Sequence, residues 1–303
     1  RSSAASDVYK RQVLFVVLLY CTHLSAQVTL PNNLYFTHIG VEDGLCQNTV
    51  CCILQDHLGF IWLGTKDGLT RYDGYRFRVF KHDAADPMSI GNNFIRVLYE
   101  DADGLIWIGT NVGVYIYNPE TENFRKFDVA TERGDVISRE VSSIKCDSSG
   151  DLWIGVNWQG VFRYDRRDES LELYEPVPGD TTSLSSVHVW DLCFDGDGNL
   201  WVGSQNGGLD RYDRETDRFV RHRLKGLSDV SRIVLDKQNQ LLLGTMKDGL
   251  FSFNPYMGTC QPLLLDSGHK DLFVRAIFVR NSREVVVGTE NGIYIYDLSL
   301  IHI

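Results

Sequence analysis

From residue 34 to residue 297 the apolar residues gather in short blocks divided by acidic, glycine-bearing turns. No stretch carries the 3.6-residue period that an amphipathic helix requires. Aligned on a recurring glycine (Gly64, Gly109, Gly155, Gly203, Gly244 and Gly288), the blocks repeat at steps of 45, 46, 48, 41 and 44 residues. The fullest copies read DHLGFIWLGTKDGLTRYD (Asp56–Asp73), DADGLIWIGTNVGVYIYN (Asp101–Asn118) and DGDGNLWVGSQNGGLDRYD (Asp195–Asp213). Each copy divides into four extended segments. The first is apolar and β-branched, as befits a strand packed on both faces: Val50–Gln55, Ile95–Glu100, Val141–Cys146, Val189–Phe194, Val230–Leu235 and Val274–Val279. An Asp-x-x-Gly turn follows at Asp56–Gly59, Asp101–Gly104, Asp147–Gly150 and Asp195–Gly198. There the Asp side chain is expected to cap the turn and the Gly to take a positive φ. The second segment carries Trp62, Trp107, Trp153 or Trp201 two residues before the marker glycine, and the third opens on Gly68, Gly113, Gly160, Gly208, Gly249 or Gly292. The fourth, such as Tyr75–Phe80, Phe124–Phe127, Leu171–Tyr174 or Phe219–Arg223, is the most polar, as an outer edge should be.

A period near 45 residues built of four short strands is the signature of a β-propeller, one repeat per blade. The expected fold is all-β, with six visible four-stranded blades and no long helix. The repeated Trp is expected to pack between neighbouring sheets, each burying on the order of 200 Å². In copies five and six Leu242 and Val286 replace it, and Asn239 and Arg283 replace the turn glycine, so these blades are the degenerate ones.

The longest loops join one copy to the next, at Lys81–Asn93, Asp128–Glu140 and Glu175–His188, and share a rim with the turns between second and third strands. Loops held on a rigid scaffold are where such a fold places function. The opposite rim is built from short turns committed to capping the backbone. On the loop rim, the turn Val156-Asn157-Trp158-Gln159-Gly160 carries an aromatic where other copies are small or polar. Trp190 stands second in its strand, where the other copies have Cys51, Arg96, Ser142, Ser231 and Arg275. An aromatic on a polar rim either fills a gap between blades or stacks a sugar ring while amides supply hydrogen bonds. On the second reading the candidate ligand-binding residues are Trp158, Gln159, Asn157, Trp190 and Asn206.

No residue set points to catalysis, a metal or a cofactor. Asp101-x-Asp-Gly104 and Asp195-x-Asp-Gly198 lack the third ligand and the bidentate Glu of a calcium loop, and no Cys-x-x-Cys or His pair has zinc spacing. The Asp…Gly…Trp run differs in spacing from the Asp-box of sialidase propellers, and no carboxylate pair stands out as acid and base. His57, His188 and His222 read as turn or surface residues.

Forty acidic against 30 basic residues give a net charge of −10, the wrong sign for a nucleic-acid surface. Lys10 and Arg11 precede an apolar run, Val13–Tyr20, too short to span a bilayer, and Ala26 offers a small residue for cleavage. Residues 1–26 therefore read as a non-native start plus a signal peptide, 27–297 as a partial propeller, and 298–303 as a non-native tail. In this exported chain Cys46, Cys51, Cys52, Cys146, Cys193 and Cys260 are irregularly spaced and read as small buried thiols rather than a disulfide framework.

The pattern D-x-x-G-x-[IL]-W-[IVL]-G-T-x-x-G-L-x-R-Y, together with the opening Phe36–Leu45 and Asn48–Val50, resembles the two-component regulator propeller repeat of periplasmic sensors. The resemblance implies a seven-bladed ring. Six copies are visible here, the last lacking its fourth strand, so an open ring is expected, with Phe36–Ile39 as the outer strand of the closing blade. It further implies a second propeller, an immunoglobulin-like domain, a membrane helix and a cytoplasmic histidine kinase outside these residues. By the same resemblance the protein would be a periplasmic, inner-membrane-anchored sensor with an oligosaccharide ligand, a homodimer through the complete ectodomain, and without kinase activity in this part. A propeller lyase or glycosidase and a protein-interaction scaffold are the competing readings.

Overall fold

In a computed structural model of the chain, residues 37–224, 227, 229–263 and 272–298 are described. Most of the sequence reading of 1–36 and 298–303, the signal peptide included, lies outside them. Blade 1 comprises β1 (Val50–Gln55), β2 (Ile61–Thr65), β3 (Gly68–Tyr72) and β4 (Phe77–Phe80). Blade 2 comprises β5 (Ile95–Glu100), β6 (Ile106–Thr110), β7 (Gly113–Asn118) and β8 (Asn123–Lys126). Blade 3 comprises β9 (Val141–Cys146), β10 (Leu152–Val156), β11 (Gly160–Asp165) and β12 (Ser170–Tyr174). Blade 4 comprises β13 (Val189–Phe194), β14 (Leu200–Ser204), β15 (Gly208–Asp213) and β16 (Arg218–His222). Blade 5 comprises β17 (Val230–Leu235), β18 (Leu241–Thr245), β19 (Leu250–Asn254) and β20 (Thr259–Leu263). Blade 6 comprises β21 (Val274–Val279), β22 (Glu284–Thr289) and β23 (Gly292–Asp297). Every sheet is an antiparallel meander in chain order, and the first strands β1, β5, β9, β13, β17 and β21 lie side by side around a common axis. The one helix among the described residues is a single 3₁₀ turn, Val41–Asp43.

The Asp and Trp of each repeat form one device. In blade 1, Asp56 Oδ1 accepts from the backbone N–H of Leu58 and Phe60, while Oδ2 accepts the Trp62 indole N–H at 2.7 Å. Trp107–Asp101 (2.7 Å), Trp153–Asp147 (3.2 Å) and Trp201–Asp195 (2.8 Å) repeat it. One carboxylate thus closes the turn and satisfies the only polar atom of a buried indole. Each Trp then packs on an aromatic of the next blade's third strand: Trp62 on Tyr117, Trp107 on Tyr164, Trp153 on Tyr212 and Trp201 on Phe253, with centroids 4.7–6.1 Å apart. Where Leu242 replaces Trp, Asp236 keeps the turn caps, on Gln238 and Gln240. Arginines of the following blade clamp the same turns, Arg166 reaching Asp101 and Asp103, and Arg214 reaching Asp147.

The marker glycines are steric. A Cβ on Gly109 would lie 2.4 Å from Val97 Cγ1 and 2.6 Å from Val141 Cγ1, the latter on the next blade. Gly64, Gly155, Gly203 and Gly244 are crowded in the same way by Ile95, Val189, Val230 and Val274. On Gly288 the nearest atom, Ala276 Cβ, is 3.6 Å away. Gly109→Ala is therefore expected to destabilise by about 1–3 kcal/mol, the usual cost of overpacking, and Gly288→Ala to change little. Denaturant titration of the two variants checks this, and equal midpoints would contradict it.

Of the expected outer strand Phe36–Ile39, the described residues Thr37–Ile39 form no strand. Leu298, read as tail, is 8% exposed and packs with Leu242, Val285 and Tyr296, its N–H bonding to Arg283 O at 2.5 Å. The six described cysteines are free, but only Cys193 is buried and the other five are half-buried. The sector also has bare end faces. Ile53 is 68% exposed, although its equivalents Leu98, Ile144, Leu192 and Ile233 are buried, and Phe278 is 65% exposed.

Candidate functional site

Every inner strand breaks register at its second residue. The ladder skips from Val50 to Cys52, Ile95 to Val97, Val189 to Asp191, Val230 to Arg232 and Val274 to Ala276, and in blade 3 it skips Ser142. The unpaired residues are Cys51, Arg96, Ser142, Trp190, Ser231 and Arg275. A β-bulge re-aims the side chain it leaves out of the ladder, and all six line one cavity of about 440 Å³. Where the bulge residue is serine, its hydroxyl donates to the adjoining glycine carbonyl, Ser142 to Gly155 O and Ser231 to Gly244 O, both at 3.1 Å.

The cavity opens on the loop rim, since Thr49 and Phe273 from the blade-joining loops and Lys66 from the β2–β3 turn also line it. Arg232 completes its basic wall. Arg96 pairs with Glu140, and Arg275 with Glu290. Each of these arginines also lies over the ring of a phenylalanine two residues before it, Arg96 over Phe94 at 5.4 Å and Arg275 over Phe273 at 3.8 Å. Arg232 donates from Nε to Arg275 O and from Nη1 to Ser231 O. Burial pushes the Cys51 thiol above its ordinary range, against the pull of the Arg96 and Lys66 charges.

The five candidate residues divide. Trp190 stands in the cavity, half-buried, with its indole N–H unpaired among the described residues. Trp158 lies apart from it, 63% exposed at a left-handed φ of 70°, its ring edge-on to His188 at 4.1 Å. Asn157 joins them, Oδ1 lying 3.2 Å from His188 Nδ1. Gln159 is occupied with the loop before its blade: its amide donates to Val136 O, and its carbonyl accepts from Ser138 N. Asn206 sits on the next blade's turn at φ 58°, its N–H bonded to Asp229. Sequence reasoning missed Lys66, Arg96, Arg232 and Arg275 as a group. For Arg96, Arg232 and Arg275 the available signal was a charge inside otherwise apolar inner strands, whereas Lys66, in the β2–β3 turn, carried none.

Behind the rim of blade 4, Asp210 occupies the place held by Thr70 in blade 1. It is fully buried, and its Oδ2 accepts from Ser185 N at 2.8 Å while Oδ1 has no hydrogen-bond partner among the described residues. Burial pushes its carboxyl up to about 6, opposed by the bonds from Ser185.

The two-component regulator propeller profile matches residues 44–67, 89–112 and 183–206, so the chain carries these repeats. A solved structure described as the extracellular domain of the hybrid two component system BT3049 from B. thetaiotaomicron superposes with a TM-score of 0.75. It is 27% identical, over 87% of this chain and 35% of that one. A second B. thetaiotaomicron extracellular domain, BT4673, gives 0.74 at 22% identity, over 86% and 37%, a likeness of fold. Histidine kinase P4 of Formosa agariphila is 34% identical over 77 residues, 25% of this chain and 6% of that protein. The chain thus spans about a third of these solved structures and a small part of the curated relative.

Proposed function

We propose that this chain is the ligand-recognition part of an extracytoplasmic two-component sensor, and that its ligand is an oligosaccharide bound on the loop rim. The observation that carries the reading is the rim cavity, built by six bulged residues and holding Trp190 among polar and basic groups. The bulges in the six inner strands turn side chains toward one place, and a concave site with a few convergent polar groups is where a ligand is expected. The likeness to extracellular sensor domains supports the same reading. Signalling then requires that ligand change the packing or association of the ectodomain, which places periplasmic display, membrane anchoring and dimerisation in the longer protein.

The test is a glycan-library screen by calorimetry, with the ligand recovered and analysed afterwards. Saturable binding with the glycan unchanged is expected. A shortened glycan would support a lyase or glycosidase, and no binding at all would support a protein-interaction scaffold. Trp158→Ala separates the rim from the cavity: if its exposed ring stacks a sugar, affinity falls by about 1–3 kcal/mol. Unchanged affinity would leave Trp190 and the cavity as the site.

A further inference from the structure

We propose that the rim cavity takes an acidic saccharide, recognising a carboxylate or sulfate group by the cationic arc Lys66, Arg96, Arg232 and Arg275 while Trp190 faces the sugar ring. This rests on the reading of the rim as a saccharide site and adds the charge class of the ligand. In a chain of net charge −10, four cations line this cavity and no Asp or Glu does. Two of them are balanced outside the lining, Arg96 by Glu140 and Arg275 by Glu290. Among the described residues the guanidinium of Arg232 bonds only to backbone carbonyls and Lys66 has no carboxylate partner. The arc therefore keeps an excess of about two positive charges in a concavity, where low-dielectric walls strengthen the attraction for an anion. A neutral sugar would leave that repulsion uncompensated. Guanidinium groups provide the paired donors that fit a carboxylate or sulfate. The bulges place Arg96 and Arg275 on blades 2 and 6 and Trp190 on blade 4. One ligand can therefore meet charge on one side and an aromatic face on another.

The experiment is calorimetry on the chain with trigalacturonate, a sulfated galactose oligosaccharide and neutral galactotriose, at low and at high salt. Lys66→Gln and Arg232→Gln are measured alongside, neither residue being in an ion pair among the described residues. At least one acidic ligand should bind about tenfold or more tighter than the neutral one and weaken with salt. Each variant should lose several-fold affinity for it, with circular dichroism melts near wild type for the exposed Lys66→Gln. Binding of trigalacturonate alone, or of the sulfated ligand alone, supports the proposal and names the group. Equal binding of the neutral sugar, unaffected by Lys66→Gln, overturns it and leaves the saccharide-sensor reading standing. Absence of binding by any saccharide in the wider glycan screen overturns both.

Discussion

Trp107→Ala should lower the stability of the propeller by about 3–5 kcal/mol, the range for removing a fully packed large aromatic. Trp107 is 2% exposed and lies between its own blade and the next, against Phe127 and Tyr164 at 5.4 and 6.1 Å. Most of the loss is packing. Asp101 keeps the turn N–H groups of Asp103 and Leu105 on Oδ1 and Arg166 beside Oδ2, so its carboxylate is not left stranded. Trp107→Leu adopts the residue that blade 5 uses at 242 and should cost clearly less than the alanine. Guanidinium unfolding of the three proteins decides the matter. An alanine variant within about 1 kcal/mol of wild type would mean that the interblade seam can close without the indole.

Asp210→Asn should stabilise the protein at neutral pH. The folded-state carboxyl stands at about 6 against an ordinary 3.8, because burial disfavours its charge. Its proton is therefore held more tightly in the fold than in the unfolded chain, so stability falls as pH rises from about 4 to about 6 and is flat above. At about 1.4 kcal/mol per pH unit of difference, ionising Asp210 costs the fold on the order of 3 kcal/mol at pH 7. Asparagine keeps an acceptor for Ser185 N and carries no charge. Melting temperature against pH should show the wild type losing stability over that window and the variant losing less. A variant less stable than wild type at pH 7 would contradict the account.

Much of the fold was legible because each repeat states its turn and strand chemistry locally. Asp and Gly three residues apart mark a capped turn whatever the tertiary setting, and Asp56, Asp101, Asp147 and Asp195 all cap as expected. The inner-strand bounds, Val50–Gln55 through Val274–Val279, coincide with the observed strands for the same reason. Outer-strand ends were less legible, Tyr75–Phe80 shortening to Phe77–Phe80, because a polar edge carries little periodic signal. The indole-to-carboxylate bond went unforeseen, although Asp and Trp stand six residues apart in all four full copies. Spacing alone does not say that a turn carboxylate and an indole on the strand that follows turn toward each other.

By itself, then, the sequence determined the repeat, the four-stranded blade, the interblade role of the Trp and the rim that carries the long loops, all of which follow from local propensity and periodicity. Only the tertiary structure decided where the polar chemistry meets. Cys51, Arg96, Ser142, Trp190, Ser231 and Arg275 could be aligned as one position. That the position is a bulge turned into a shared cavity depends on strand pairing, and bringing six such positions together depends on the curvature of the whole array. Trp158 shows the converse. Its local setting made it the most prominent candidate, yet the fold leaves it outward on the rim beside His188, away from that cavity.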